Sequence, residues 1–535
     1  MAQMFNGRSV FITGASGFIG RVLLEKLLRC YPGIRRIYIL LRAKKNQTPI
    51  ERLNRRLLNA PIFDEIRAVQ IDGKNLLDKI VVVPGDIAKP QLGISAEDQE
   101  MLIQDPSLSI VFHSAATIKF DEQLKVSVQL NLIAVRDLLE LCRSFKNLIS
   151  VCHVSTAYVN SNIYNGHNIE ERLYPMKETP KQVISLAECM DESLMQLIKS
   201  ELVADRPNTY TYTKALAEHF IASEFSDLPI SIVRPSIVGA SWRDPLPGWV
   251  DNLNGETGIF YAASKGLLRS MLLDDDCPSD VIPVDVVVNT LVAVSYYTAV
   301  KNNKITSTTP MHDIYSNGQL RNDNIAANGA HANKEHNHGQ LKPRVMANGA
   351  QGGMESDDKE VASSTNDIPI FHCTSGDSNP LSWGQVKNTA IAFARKYPSD
   401  QVFRYPILIS SRDRRSDFLK RLYLHYLPAL IIDILCLLMG KKSQMLENYR
   451  KLHNAAGTIL HFTVHNYNFK ASNFRSLKKC LNPVDQEDLY MNVSVGFWPR
   501  DRMTVPNSLV VIVPSPSLSN NEKASLNSAI CSSVN

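Results

Sequence analysis

At 535 residues, 44% of them hydrophobic, the chain is long enough for a complete α/β domain with a second domain beside it. Its 58 Lys and Arg against 53 Asp and Glu leave a net charge of +5, and no basic run carries interleaved aromatics, which argues against a nucleic-acid partner. Nine scattered cysteines without a CxxC pair exclude a disulfide framework and a zinc site, and read as reduced thiols in a protein that faces the cytosol.

Ser9 to Thr13 is a short apolar run that predicts a strand, and it is too short for a signal peptide. Gly14, Gly17 and Gly20 follow at three-residue spacing, then an apolar-periodic helix through Val22, Leu23, Leu24, Leu27 and Leu28. Strand, glycine turn and helix in this order predict a dinucleotide site. One glycine makes the tight turn, one lets backbone approach a pyrophosphate, and one packs helix on strand. The spacing is GxxGxxG rather than GxGxxG, and a Gly-rich turn of any α/β domain shares it.

Arg36 to Leu41 predicts the second strand, with Arg42 at its end. An Asp or Glu in this place would bind a ribose 2′-hydroxyl and repel a 2′-phosphate. Arg42, backed by Lys44 and Lys45, binds a 2′-phosphate instead and points to NADP(H); a solvated basic loop is the other reading. A helical stretch, Ile50 to Leu58, precedes a third strand, Ile80 to Pro84. Asp86, just after it, reads as a contact for the adenine amino group or as a turn residue.

Ser109 to Phe112 predicts a fourth strand, followed by small residues from Ser114 to Thr117 that permit close approach to a cofactor. A helix near Asn131 to Leu141 and a fifth strand, Leu148 to Val154, come next. Strands alternating with helices give a Rossmann-type, doubly wound parallel sheet. Tyr174 to Ala204 has helical periodicity. Ile230 to Arg234 is a further strand, Trp242 to Gly266 a Trp-, Pro- and Gly-rich loop suited to a substrate lip, and Val286 to Val300 a helix.

From about residue 302 to 367 Asn, Gly, His, Ser and Thr dominate, which predicts a disordered insertion. His331, His336 and His338 lie in this low-complexity sequence and are not read as metal ligands. A strand, Ile368 to Cys373, and a helix from Trp383 resume the fold. Leu422 to Met439 is the most apolar stretch, flanked by Lys420, Arg421, Lys441 and Lys442. It reads as an inserted or re-entrant membrane anchor, or as a hydrophobic helix pair of a substrate domain. His425, Pro428 and Asp433 within it oppose a simple span. Helical sequence continues from Tyr449 to Phe474, and a Pro/Ser/Asn-rich tail from 496 is expected to be largely disordered apart from Leu509 to Val513.

The chemistry lies in Ser155 and Thr156 at one strand end, with Tyr210 and Lys214 four apart on one helix face. A Lys ammonium beside a phenol is expected to lower its pKa, so that Tyr210 exchanges a proton near neutral pH. A Thr or Ser hydroxyl can donate to a carbonyl oxygen that gains negative charge as hydride arrives. Tyr212 is two residues before Lys214 and is expected to face away.

TGASGFIG, HSAAT, VSTAY, YTYTK and RPSIV resemble the extended short-chain dehydrogenase/reductases. More narrowly, HSAATIKFDEQLK, HVSTAYVN, YTYTKALAE, IVRPSIVGAS and HYLPALIIDIL resemble the insect-type, alcohol-forming fatty acyl-CoA reductases, over about residues 5 to 495 without the insertion. The resemblance implies an NADP-binding domain over 5–301 and a smaller, mainly helical C-terminal domain over 368–495. It implies NADPH at Thr13, Gly14, Ser16, Gly17, Phe18, Ile19, Gly20, Arg42, Asp86, Ile87, Ala115, Ala116, Thr117, Pro235 and Ile237, with Lys214 on the nicotinamide ribose. Thr156, with Ser155 beside it, Tyr210 and Lys214 become the catalytic set. The implied reaction takes a long-chain acyl-CoA to a primary alcohol in two hydride steps, at an endoplasmic reticulum or peroxisome membrane with the catalytic domain facing the cytosol. The insertion and the end after Val495 depart from that family's pattern. Another extended-family dehydrogenase, acting on a sugar nucleotide or steroid, and a catalytically silent NADP-binding scaffold are the rival readings; the first leaves the C-terminal motifs unexplained and the second the Tyr210–Lys214 pair.

Overall fold

The strand β1 (Ser9–Thr13) is buried at every position, because it lies inside the sheet with helices over both faces. A computed structural model describes residues 1–305 and 368–493, apart from 45, 72 and 492. Lys45, most of the expected insertion with its three histidines, and the tail from 496 therefore lie outside the described residues.

Six further strands complete the main sheet: β2 (Arg36–Leu41), β3 (Ile80–Pro84), β4 (Leu108–His113), β5 (Ser150–Val154), β6 (Ile230–Pro235) and β7 (Ile370–Cys373). Their spatial order is β7-β6-β5-β4-β1-β2-β3, and every neighbouring pair is parallel. The chain runs outward from β1 to β3, then crosses back to β4 on the other side of β1. Register aligns Thr13 with Leu40 and His113, so the carboxyl ends of β1, β2 and β4 open at one edge. That reversal is where an open α/β sheet leaves its ligand crevice.

The helices used below are α1 (Phe18–Cys30), α2 (Ala134–Arg143), α3 (Thr209–Glu224), α4 (Gly255–Ser264), α5 (Val284–Lys301), α6 (Trp383–Lys396), α7 (Arg414–Leu438) and α8 (Met445–Thr458). Alternate strand residues Phe11, Tyr38, Val111, Val151 and Ile232 form one core with Leu138 of α2 and Tyr212, Leu216 and Phe220 of α3. On the opposite face α5 packs against α1, β5 and β6. It is buried at every position from Val284 to Ala299, which accounts for a helix apolar on all sides.

The chain beyond residue 367 returns to the same sheet, where β7 pairs with β6 from Ile370↔Ile232 to Cys373↔Pro235. A second core joins Phe260 and Ala263 of α4, Leu268 and Met271 to Trp383, Val386, Ala456 and Ile459. The region expected to be loop from Trp242 to Gly266 thus contains α4. Gly255 and Gly258 depress its helix propensity, and tertiary packing of Ile259, Phe260 and Ala263 overrides that. The apolar helix begins at Arg414, earlier than its composition suggested, and passes through a π turn at Leu422–Tyr426.

Candidate active site

The three glycines divide the work physically. Gly14 has a φ of +79°, and a Cβ there would lie 2.6 Å from the Ala115 nitrogen and 2.7 Å from the Ser114 carbonyl carbon. It makes the turn and lets β1 meet the loop after β4. Gly20, in the first turn of α1, would place a Cβ 2.2 Å from the Gly14 carbonyl oxygen, so it permits the close helix–strand packing. Gly17 is the N-cap of α1, and no side chain caps that end. The leading N–H groups of Phe18, Ile19 and Gly20 therefore keep their capacity for an anion. The turn that Gly14 and Gly20 permit leaves these uncapped N–H groups at the end of β1, an arrangement that fits a pyrophosphate.

The neighbouring loop is held by β1 itself. The Ser114 hydroxyl donates to the Thr13 carbonyl at 3.0 Å, and the Ala115 N–H reaches the Thr13 hydroxyl at 3.4 Å. Thr117 N–H donates to the Asn131 side chain at 2.9 Å, and Asn131 donates to the Thr117 carbonyl and, at 3.1 Å, to the Thr213 hydroxyl of α3. Asn131 stands in a π turn, Gln129–Ile133, is 1% exposed, and ties this loop to α3. Over the other side, Arg21 pairs with Asp251 at 2.9 Å and the Phe18 and Trp249 rings stand 5.5 Å apart, so the Trp-rich segment is pinned to α1.

At the end of β2, Arg42 is exposed and lies 3.8 Å from the Asp86 carboxylate. Asp86 also accepts from the Ala88 N–H at 3.1 Å, so it serves its own turn as well as Arg42. Arg52 donates to the Arg42 carbonyl, and burial, followed by the like charges of Arg42 and Arg56, pulls its pKa down, as in a patch of concentrated positive charge. Arg42 follows β2 and Asp86 and Ile87 follow β3, whereas Ser155 and Thr156 follow β5 and Tyr210 and Lys214 stand on α3.

Thr156 follows β5 and caps a short 3-10 turn, Ala157–Asn160, accepting from the Tyr158 N–H at 3.3 Å; its hydroxyl faces the Pro235 carbonyl at 3.5 Å. The buried Ser155 hydroxyl has no partner among the described residues. Asn208 caps α3, so Tyr210 stands in its first turn. Burial pushes the Tyr210 phenol up to about 12, while the facing Thr156 hydroxyl pulls it down. Lys214 is 2% exposed and donates to the Val154 carbonyl at 2.7 Å; burial lowers it to about 8. The expected lowering of the phenol by Lys214 is thus corrected: the ammonium is engaged by the strand end, and desolvation governs Tyr210. Tyr212 packs wholly inside the core, facing away as expected.

Beneath Lys214, His113 and His153 are register partners on β4 and β5 with ring centres 5.1 Å apart. Burial and the Lys214 charge push both well down, His113 to about 3, so both are neutral. Above the phenol, Phe120 stands 5.8 Å from the Tyr210 ring and 5.6 Å from Phe462. Phe462 and Tyr467 pack in turn on Tyr158, and Ile237 is packed against the same group. The C-terminal part of the chain therefore supplies an aromatic wall for the residues at the end of β5. Phe120, Asn131 and this wall were not anticipated from the sequence. Nothing in the sequence separated Asn131 from a solvent-facing polar residue, and nothing marked Phe462 before the fold brought it over.

Two family models match, both described as Male sterility protein: the NAD-binding model over residues 12–291, more than half of the chain, and the Sterile model over residues 424–500. Fatty acyl-CoA reductase 1 of Xenopus laevis is 36% identical over 496 residues, 93% of this chain and 82% of that protein. The chain belongs to the fatty acyl-CoA reductase family. The Homo sapiens fatty acyl-CoA reductase 1 is 35% identical over 496 residues, with the same shares of 93% and 82%. Among solved structures, the terminal R domain of the myxalamid PKS-NRPS pathway aligns with a TM-score of 0.48 at 18% identity, covering 88% of this chain and 84% of that domain. This reductase is accordingly an oxidoreductase that uses a nicotinamide cofactor.

Proposed function

We propose that the protein reduces long-chain fatty acyl-CoA to the primary alcohol with release of CoA, using NADPH. The observation that carries this reading is the facing pair of hydroxyls, Thr156 and Tyr210, at the carboxyl end of β5, beside the nucleotide cradle and under an aromatic wall. NADPH held by the glycine turn and Arg42 would supply hydride, and the four-electron reduction of thioester to alcohol, with CoA leaving as the thiol, would consume two NADPH molecules in succession.

Thr156 and Tyr210 donate to the carbonyl oxygen where negative charge grows, with Ser155 in reserve at the same strand end. A phenol held near 12 stays protonated at neutral pH, so Tyr210 donates a proton to the alkoxide. Lys214, held by the Val154 carbonyl, supports the nicotinamide ribose. Arg42, reinforced by Arg52, takes the 2′-phosphate that distinguishes NADPH from NADH. Thr13, Ser16, Ala115, Ala116, Pro235 and Ile237 line the path between the two ends of the cofactor. Residues 5–301 with β7 carry the cofactor, and the remainder of 368–495 covers the acyl chain through Phe462 and Tyr467. The protein works at a membrane with its catalytic part on the cytosolic side.

The experiment is product analysis. Membranes containing the full chain, given palmitoyl-CoA and NADPH, are expected to yield hexadecanol by gas chromatography, with far less from NADH. Tyr210→Phe is expected to abolish the alcohol. Equal yields from wild type and Tyr210→Phe would sink the catalytic assignment.

A further inference from the structure

The helix α7 carries the most exposed apolar surface among the described residues. Tyr423 is 63% exposed, Leu427 45%, Leu430 45%, Ile434 48% and Leu438 78%. Its polar residues do not share that face. Asp417, His425, Ala429 and Asp433 recur at four-residue multiples, which places them on one stripe. Asp417, His425 and Ala429 are buried, and the His425 ring accepts from the Arg269 N–H at 2.8 Å. Asp433 accepts from the Met445 N–H at 2.9 Å and the Leu446 N–H at 3.0 Å, so it caps α8. The Tyr449 ring of α8 stacks on His425 with centres 5.2 Å apart, and the His453 ring packs tilted against it at 4.8 Å.

These contacts bear on how a bilayer is met. After Gly440 the chain turns back, and α8 packs along α7 as the second arm of a hairpin. A spanning α7 would draw Glu447, Arg450 and Lys451 of α8 into hydrocarbon, or break the Asp433 cap and the His425 stack. By length and composition alone α7 could cross a hydrocarbon core, so it is these contacts with α8 that oppose a span. Basic residues sit at both ends: exposed Arg414 and Arg415 before it, exposed Lys441 and Lys442 after it, none with an ion pair among the described residues. An apolar helix face rimmed by cations complements the acyl boundary and anionic headgroups of a phospholipid surface.

We infer that α7 lies in the plane of an anionic phospholipid surface, its Tyr423–Leu438 face sunk at the acyl boundary and its His425–Asp433 stripe held by the protein. This rests on the membrane reading above and names the element and the lipid class that serve it. A lipid substrate then reaches the enzyme from the surface on which it partitions.

The test is flotation of the purified full chain with vesicles of phosphatidylcholine alone or with phosphatidylserine added. Wild type is expected to float with the mixed vesicles and several-fold less with the neutral ones. Leu430→Glu with Ile434→Glu is expected to cut flotation at least tenfold. Both positions face solvent, so the variant is expected to fold, and reduction of detergent-dispersed acyl-CoA reports that independently. Lys442→Cys on bound protein is expected to react with an impermeant maleimide added outside. Undiminished flotation of the acidic variant, or protection of Lys442→Cys from the reagent, would overturn the proposal. So would a lipid-free dimer in sedimentation that the acidic variant dissociates, because the face would then belong to a second copy. Flotation does not depend on turnover, so a failure here and a failure of the acyl-CoA reaction are told apart.

Discussion

Arg234 and Glu218 form a forked ion pair, with guanidinium nitrogens 2.9 and 2.6 Å from the two carboxylate oxygens and both side chains 1% exposed. Glu218 stands one helical turn beyond Lys214 on α3. Arg234 also donates to the His372 ring on β7 at 3.0 Å and to the Arg172 carbonyl at 3.0 Å. His372 in turn meets the Lys470 carbonyl at 2.8 Å. One buried guanidinium thus ties α3 to β6, β7 and the C-terminal region.

Removing one member of such a pair leaves the other charge buried without compensation. Glu218→Ala is expected to destabilise the protein by about 3–5 kcal/mol, read as a lowered denaturation midpoint. A loss below about 1 kcal/mol would show the pair is not the anchor described.

Lys214 gives a pH signature. Its folded-state value near 8 lies below the 10.5 of an unfolded lysine, because burial disfavours the ammonium. Between these values the unfolded chain holds more protons, so folding stability is expected to rise with pH across that window and to level off below about pH 8, where Lys214 is protonated in both states. Lys214→Met is expected to remove that slope in denaturation measured at pH 7.5 and 10. In wild type, kcat/KM is expected to fall above about pH 8 if the ammonium serves the reaction; a flat profile to pH 10 would contradict that role.

Arg42→Ala is expected to weaken NADPH binding by roughly 10- to 100-fold, in keeping with about 1.5–3 kcal/mol for a hydrogen bond to a charged group, and to leave NADH unchanged. Calorimetric titration of the two cofactors checks this. Unchanged NADPH affinity would assign Arg42 to the solvated loop and its Asp86 contact alone.

The glycines separate folding from binding. Gly20→Ala puts its methyl group against backbone that cannot retreat, and is expected to cost about 1–3 kcal/mol or more and to abolish cofactor binding. At Gly17 the nearest atom, the Gly14 oxygen, is 3.2 Å away. Gly17→Ala is therefore expected to fold nearly as well as wild type while binding NADPH less tightly. Equal thermal stability of both variants would contradict the division of roles.

The parts of the fold that a sequence reader can see are those where one physical signal dominates. The strands at Ser9–Thr13, Arg36–Leu41 and Ile80–Pro84 stand where their apolar runs placed them; the first two are buried on both faces, and the third, half-buried at the sheet edge, still carries an unbroken apolar run. The Tyr210–Lys214 spacing and the glycine turn were legible because each depends on local geometry. What depends on distant packing was not. Helix α4 is hidden by its glycines, and Asn131 resembles a solvent-facing polar residue until the π turn points it inward. The position of Lys214 on the Val154 carbonyl, and with it the high phenol value, depends on the depth of burial, which spacing alone does not carry. Asp433 and His425, which read as obstacles to a membrane segment, are its attachment to the rest of the protein.

The pairing of β7 with β6 has a consequence for anyone dividing the gene. A product ending at residue 305 would keep the nucleotide cradle, Thr156, Tyr210 and Lys214, yet lose the strand that covers the Ile230–Pro235 edge and the His372 ring that receives Arg234. Its open backbone edge would be a template for intermolecular association. The two stretches of sequence are thus one folding unit in which the last strand arrives late, and a truncated reductase should be sought by joining residue 305 to 368 rather than by stopping between them.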